Sequence, residues 1–230
     1  MKISTEFSKN ASSYEDLNEI QNLVIEELLS CLKEKPQKIL DLGCGSGALC
    51  KKITWKYKHF TGVDFAPGML ELHPKSKKIE SVYGDFNDKT LFENLATYEY
   101  DHIFSASALQ WAEDLEAVFQ SIAELHTPYS LAIFTSGTFK TLNKTAKLRS
   151  LLKSAKELEN SQKIYLADAK FYTKSYKLRF ENVREMFRYI KRSGVSGSRA
   201  VLNYKQTKEL MRSYPLEYLE FEVAFIHGHD

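Results

Sequence analysis

The sequence predicts an α/β fold: one seven-stranded mixed sheet, its last strand antiparallel, with helices on both faces. Three observations predict it. Residues 38–42, Lys-Ile-Leu-Asp-Leu, are a short apolar run that enters a glycine-rich turn and then a helical stretch. Four more strand-like runs follow at 59–64, 79–85, 100–106 and 130–136, with helical patterns between them. The tail then reads as strand, helix, strand. At 230 residues and 43% hydrophobic, the chain fits one domain with a large core.

Each element has its own signal. Residues 15–35 form an amphipathic helix, because Leu17, Ile20, Val24, Leu28 and Leu32 recur at helical spacing and Pro36 closes it. A helix over about 47–57 follows the glycine turn. Pro67 suits the first turn of another helix. A helix covers about 114–126, with Asp114 as its N-cap. Residues 140–170 are Lys-rich and helical in propensity. Residues 172–180 alternate like a strand. Residues 182–193 place Val183, Met186, Phe187 and Ile190 on one helix face, and Gly194 ends that helix. A last strand covers 216–225.

Composition narrows the function. The net charge of +2 gives no general pull toward nucleic acid, and no run approaches 18 apolar residues. The amino-terminal residues lack an apolar signal core. A cytoplasmic, monomeric protein is expected. Cys31, Cys44 and Cys50 lack metal-ligand spacing, and no metal is expected. Cys44 reads as a small residue that fits the turn, and His102 as structural. The closing residues 227–230, His-Gly-His-Asp, read as a frayed terminus rather than a chelate.

The glycine turn carries the chemistry. Glycines allow positive φ and close ligand approach, and a helix start offers unpaired N–H groups. Gly43, Gly45 and Ala48 fit the dinucleotide pattern G-x-G-x-x-G/A. Asp41, Gly43, Gly45 and Gly47 fit the D/E-x-G-x-G-x-G pattern of S-adenosylmethionine methyltransferases. Asp41 favours the second reading: an acid at the strand end repels a pyrophosphate and attracts the ammonium of a methionine moiety. Asp64, 21 residues after Gly43, ends the next strand and suits ribose hydroxyls in either family.

These residues together resemble class I methyltransferases, whose fold is Rossmann-like. The resemblance extends further. Residues 7–14, Phe-Ser-Lys-Asn-Ala-Ser-Ser-Tyr, are similar to an F-S-x-A-A-x-x-Y lead. Residues 108–115, Ala-Leu-Gln-Trp-Ala-Glu-Asp-Leu, resemble the segment after the fourth strand of one subfamily, and residues 180–194 and 213–218 its tail. That subfamily is the malonyl-acyl-carrier-protein O-methyltransferases of biotin synthesis. The chain departs from it at residues 127–130, Thr-Pro-Tyr-Ser in place of a Pro-Gly-Gly turn, at Asn10, and at His102.

The resemblance implies a division of labour. Residues 1–36 would be a lid and helix, 37–137 the cofactor-binding half, and 138–230 the acceptor side with a helical insertion near 138–170. Tyr14, Asp41, Gly43, Cys44, Gly45, Gly47, Asp64, Phe65, Met69, Asp85, Phe86, Ser105 and Ala106 would hold S-adenosylmethionine. Tyr14, Gln110, Trp111, Lys140 and Arg149 would line the acceptor pocket. Arg184, Arg188, Lys191 and Arg192 would dock an acidic acyl carrier protein loaded with malonate. No catalytic residue is expected, because a carboxylate with an ordinary pKa of about 4 is already ionised and needs no general base. Three other readings stay open: a methyltransferase for a quinone precursor or fatty acid, an NAD-dependent oxidoreductase, and a binding protein without activity.

Overall fold

The computed structural model describes residues 19–193 and 204–228. Its seven strands are β1 (Lys38–Leu42), β2 (His59–Asp64), β3 (Ile79–Tyr83), β4 (His102–Ala106), β5 (Tyr129–Phe134), β6 (Lys170–Arg179) and β7 (Tyr218–Gly228). They form one sheet in the order β3-β2-β1-β4-β5-β7-β6. β1 to β5 pair in parallel, and β7 runs antiparallel to both β5 and β6. The carboxyl ends of β1 to β6 therefore share one edge of the sheet, and the order reverses between β1 and β4 at that edge.

The helices are α1 (Glu19–Ser30), α2 (Ala48–Lys52), α3 (Pro67–Leu72), α4 (Lys89–Leu95), α5 (Leu115–Glu124), α6 (Lys140–Thr145), α7 (Ala155–Tyr165), α8 (Val183–Ser193) and α9 (Tyr204–Ser213), with a 3-10 turn at Leu109–Trp111. They cover both faces because the strands alternate strictly. Leu40, Leu42, Ile103, Leu131, Ile133, Ala224 and Ile226 pack with α4, α5 and α7. Ala132, Phe134, Val223 and Phe225 pack with α1, α6, α8 and α9, while Ile39 and Phe104 meet α1 and α2. A strand covered on both faces reads as a continuous apolar run, which is why these strands were legible.

Several boundaries differ from expectation. The helix after the glycine turn stops at Lys52, not near 57, because Ile53 turns to extended backbone and Trp55 Nε1 donates to the Pro36 carbonyl at 2.9 Å. α1 ends at Ser30, short of Lys35. α4 and α9 gave no signal strong enough to be read. Asp114 caps α5 as expected, its carboxylate accepting from the N–H groups of Glu116 and Ala117. His227 and Gly228 are not frayed. They close β7 opposite Ser130 and Tyr129. His102 is buried at the amino end of β4, with its Nε2 at 2.9 Å from Ser130 Oγ.

Candidate active site

At the carboxyl edge, β1 runs into the glycine turn. Gly43, Gly45 and Gly47 all have positive φ, at 75°, 52° and 82°. Their reasons for being glycine differ. A Cβ on Gly43 would lie 2.2 Å from Ala108 Cβ, so the loops after β1 and β4 touch there. A Cβ on Gly47 would strike Pro74 and His73. A Cβ on Gly45 would meet no atom within 4 Å, because that side faces an open cavity. The N–H groups of Gly43 and Cys44 both donate to the Val63 carbonyl, at 2.8 and 3.0 Å. This ties the turn to β2.

Two carboxylates meet at the turn. Asp64 accepts from Gly45 N at 2.9 Å through Oδ2 and from Ala66 N at 2.8 Å through Oδ1. Burial raises its pKa, and the backbone N–H groups oppose the rise. Asp41 is only 2% exposed, and its Oδ1 has no hydrogen-bond partner among the described residues. Burial first, and the Asp64 charge second, push its pKa up to about 8. A buried carboxyl without a partner is costly, so this position suits a ligand that brings positive charge or N–H groups. Burial also holds the Cys44 thiol well above its ordinary range, which leaves it a poor nucleophile.

The cavity is lined by Asp41, Gly43, Cys44, Gly45, Asp64, Phe65, Met69, Phe86, Ala106 and Trp111 among the expected residues. The structure brings these together from the ends of β1, β2 and β4, from α3, from the loop after β3 and from the 3-10 turn. Other expected residues stand elsewhere. Gly47 supports the turn from behind. Ser105 is fully buried and its Oγ donates to the Leu42 carbonyl at 2.7 Å, tying β4 to β1. Asp85 is exposed after β3, and its Oδ1 accepts from Asn87 N and Nδ2. Gln110 Nε2 donates to the Ser107 carbonyl at the foot of the 3-10 turn. Lys140 and Arg149 are exposed at and after α6, and neither lines the cavity. Tyr14 lies outside the described residues.

Arg184 and Arg188 are exposed one turn apart on α8, while Met186, Tyr189 and Ile190 face the core. Lys191 and Arg192 continue the same helix. The reading of the sequence missed Gln21 and Ile25 of α1, Ser46, Ala48 and Leu49 of the turn and α2, and Ser107 and Ala108 after β4. Gln21 and Ile25 were legible only as parts of an amphipathic helix. Ser107 sits at φ 64°, which no residue-type pattern announces.

Residues 39–129 match the family described as Methyltransferase domain. A relative from Legionella pneumophila named malonyl-[acyl-carrier protein] O-methyltransferase is 31% identical over 153 residues, 61% of this chain and 52% of that protein, so the match spans about half of that relative. One of the same name from Acetivibrio thermocellus is 27% identical over 90% of this chain and 83% of its own length. Among solved structures, the plantazolicin methyltransferase BamL, in complex with a triazolic desmethylPZN analog and SAH, aligns over 100% of this chain and 90% of its own with TM-score 0.55 and 13% identity. That likeness is one of fold.

Proposed function

We propose that this chain is an S-adenosylmethionine-dependent O-methyltransferase of the class I fold, that its acceptor is the free carboxylate of a malonyl group on an acyl carrier protein, and that its product serves biotin synthesis. The observation that carries the acceptor assignment is the extent of the likeness: relatives bearing that name align over 90% and 94% of this chain, tail included. The segment 108–111 supports it, because Ala108 and Trp111 face the same cavity as the glycine turn.

The donor fits the residues present. Asp41, whose Oδ1 has no partner among the described residues, would take its ammonium, Gly45 leaves room for close approach, and Asp64 would take the ribose hydroxyls. Phe65, Met69 and Phe86 line the cavity and would supply apolar walls for the adenine. When bound, S-adenosylmethionine supplies an electrophilic methyl on a sulfonium. The acceptor oxygen would form the O–CH3 bond as the S–CH3 bond breaks, so that the carboxylate's negative charge and the sulfonium's positive charge are both lost and no proton moves. The chain's own task is alignment and exclusion of water. Positioning of this kind accounts for up to about 7–11 kcal/mol of barrier lowering. Asp64 holds the turn rigid for it through its bonds to Gly45 and Ala66.

The same reading treats the chain as one cytoplasmic domain and a monomer, with α8 as the carrier-docking helix. Arg184 and Arg188 are solvent-facing cations on the helix that follows the carboxyl end of β6. No described helix is long and apolar enough to cross a membrane. Among the described residues no group of His, Cys, Asp and Glu is arranged to hold a metal ion. A direct test incubates the protein and S-adenosylmethionine with malonyl-carrier protein, malonyl-CoA and a free fatty acid. Methylation of the malonyl carrier above the other two supports the reading. Preference for the fatty acid overturns it.

A further inference from the structure

Buried polar atoms without partners gather at the cavity. Among the described residues, Asp41 Oδ1, Gln21 Oε1 and Ser107 Oγ are buried, have no hydrogen-bond partner, and belong to residues that line this one cavity. They come from three separate elements: the end of β1, the first turns of α1, and the loop after β4. A carboxylate oxygen and an amide oxygen accept hydrogen bonds, and a serine hydroxyl accepts as well as donates. The described lining carries no Lys, Arg or His. The wall is therefore rich in acceptors, and its ligand must bring N–H groups and positive charge. Buried acceptors left unmatched cost folding free energy, so their gathering at one place marks a binding role.

We propose that Gln21 is a donor-binding residue whose Oε1 accepts a hydrogen bond from the ammonium of S-adenosylmethionine, beside Asp41. The inference rests on the methyl-donor reading and assigns a side chain of α1 to it. An ammonium has three N–H donors. Asp41 and Gln21 take two of them, and the Ser107 hydroxyl stands in the same cavity for the third. The residue before Gln21, Ile20, is fully packed in the core, as are Val24 and Ile25, so the helix is fixed and its amide is held rather than swinging on a loop. Ser107 supports the same picture: its backbone is held by the fold, its N–H donating to the Ala132 carbonyl and its carbonyl accepting from Gln110, while its buried hydroxyl has no partner among the described residues. α1 would thus read whether the amino-acid end of the donor is present.

The test compares two ligands that differ only in that end. S-Adenosylhomocysteine carries the ammonium and carboxylate, and 5′-methylthioadenosine lacks both. Gln21→Met keeps length and apolar volume and removes the oxygen. Titration calorimetry should show S-adenosylhomocysteine binding weakened about ten- to a hundredfold, the range for a hydrogen bond to a charged group, with methylthioadenosine within about twofold of the wild type. Gln21→Glu, which keeps an acceptor oxygen, should hold S-adenosylhomocysteine better than Gln21→Met does. Equal weakening of both ligands in Gln21→Met would make the residue structural and overturn the proposal. So would unchanged S-adenosylhomocysteine affinity with a raised KM for the acceptor. If the wild-type protein bound NAD and not S-adenosylhomocysteine, the methyl-donor reading itself would fail, and the two failures are distinct.

Discussion

The two halves of the sheet are built from similar apolar strands but carry different kinds of information. Every described residue that lines the cavity falls between Gln21 and Trp111, on α1, α2 and α3, on the ends of β1, β2 and β4 and on the loops after β1 to β4. The tail, β6 through β7, lends the cavity no described residue. It contributes core and charge: Leu219, Phe221, Val223 and Phe225 are buried, while Lys174, Lys177 and Arg179 line an edge strand. Lys174 is tied to Glu27 at 2.6 Å, and Lys177 and Arg179 lie over the Tyr218 ring. Edge strands are commonly laced with lysine, which blocks pairing with another chain. The amino-terminal half thus offers a ligand a shaped cavity and buried carboxylates. The tail offers a partner only exposed cations, whose effects are weak and screened.

The sharpest way to break that comparison is Gly45→Val. Its branched Cβ enters the cavity and is strained at φ 52°. We expect no measurable S-adenosylhomocysteine binding by calorimetry, with the far-ultraviolet circular dichroism of the folded protein retained. Unchanged affinity would remove the ligand from the glycine turn.

Asp41 gives the next largest effect and a pH signature. Its folded pKa of about 8 lies above the ordinary carboxyl value of about 4, so the native state binds more protons than the unfolded state between them. The ligand-free protein should therefore lose stability as pH rises from about 4 to about 8. A bound ammonium favours the ionised form. Donor affinity should accordingly rise with pH, by nearly tenfold per unit below the folded pKa, and level off above it. Asp41→Asn should abolish most binding, flatten the pH dependence, and raise the melting temperature of the ligand-free protein at pH 8. A wild-type affinity that does not change between pH 6 and 8 would separate Asp41 from the ammonium.

Asp64 sharpens the picture differently, because it also braces the turn. Asp64→Ala should weaken donor binding by about 1–3 kcal/mol and lower the melting temperature as well, since Gly45 N and Ala66 N lose their acceptor. Loss of binding with full stability would mean that the brace contributes nothing to the fold.

The smallest effect belongs to the tail. Reversing Arg184 and Arg188 to Glu should raise KM for the malonyl carrier protein several-fold at low salt and flatten its salt dependence. A malonyl thioester on a short pantetheine arm should turn over as before. Equal losses for both substrates would make α8 structural and leave the carrier to dock elsewhere.

The sequence by itself determined the parallel sheet, its acid-ended strands and the glycine turn, because these are local. A buried strand shows as a run of apolar residues, and a turn at positive φ shows as glycine. It also determined Asp41 and Asp64 as a pair, since each acid ends a strand next to a turn. The tertiary structure alone decided which side chains meet. Gly47 and Ser105 stand in the right motif, yet one backs onto His73 and Pro74 and the other onto the Leu42 carbonyl. Asp85 reads in the sequence as a strand-ending acid like the other two, yet β3 stops at Tyr83 on the edge of the sheet, and the Asp85 carboxylate beyond it accepts from Asn87. Gln21 looked like one polar position on an amphipathic helix. It became a cavity residue because α1 packs across β4, β5 and β7, a placement set by contacts between residues far apart in the chain. Such contacts leave no mark in spacing or composition, so a ligand's neighbours are decided by packing.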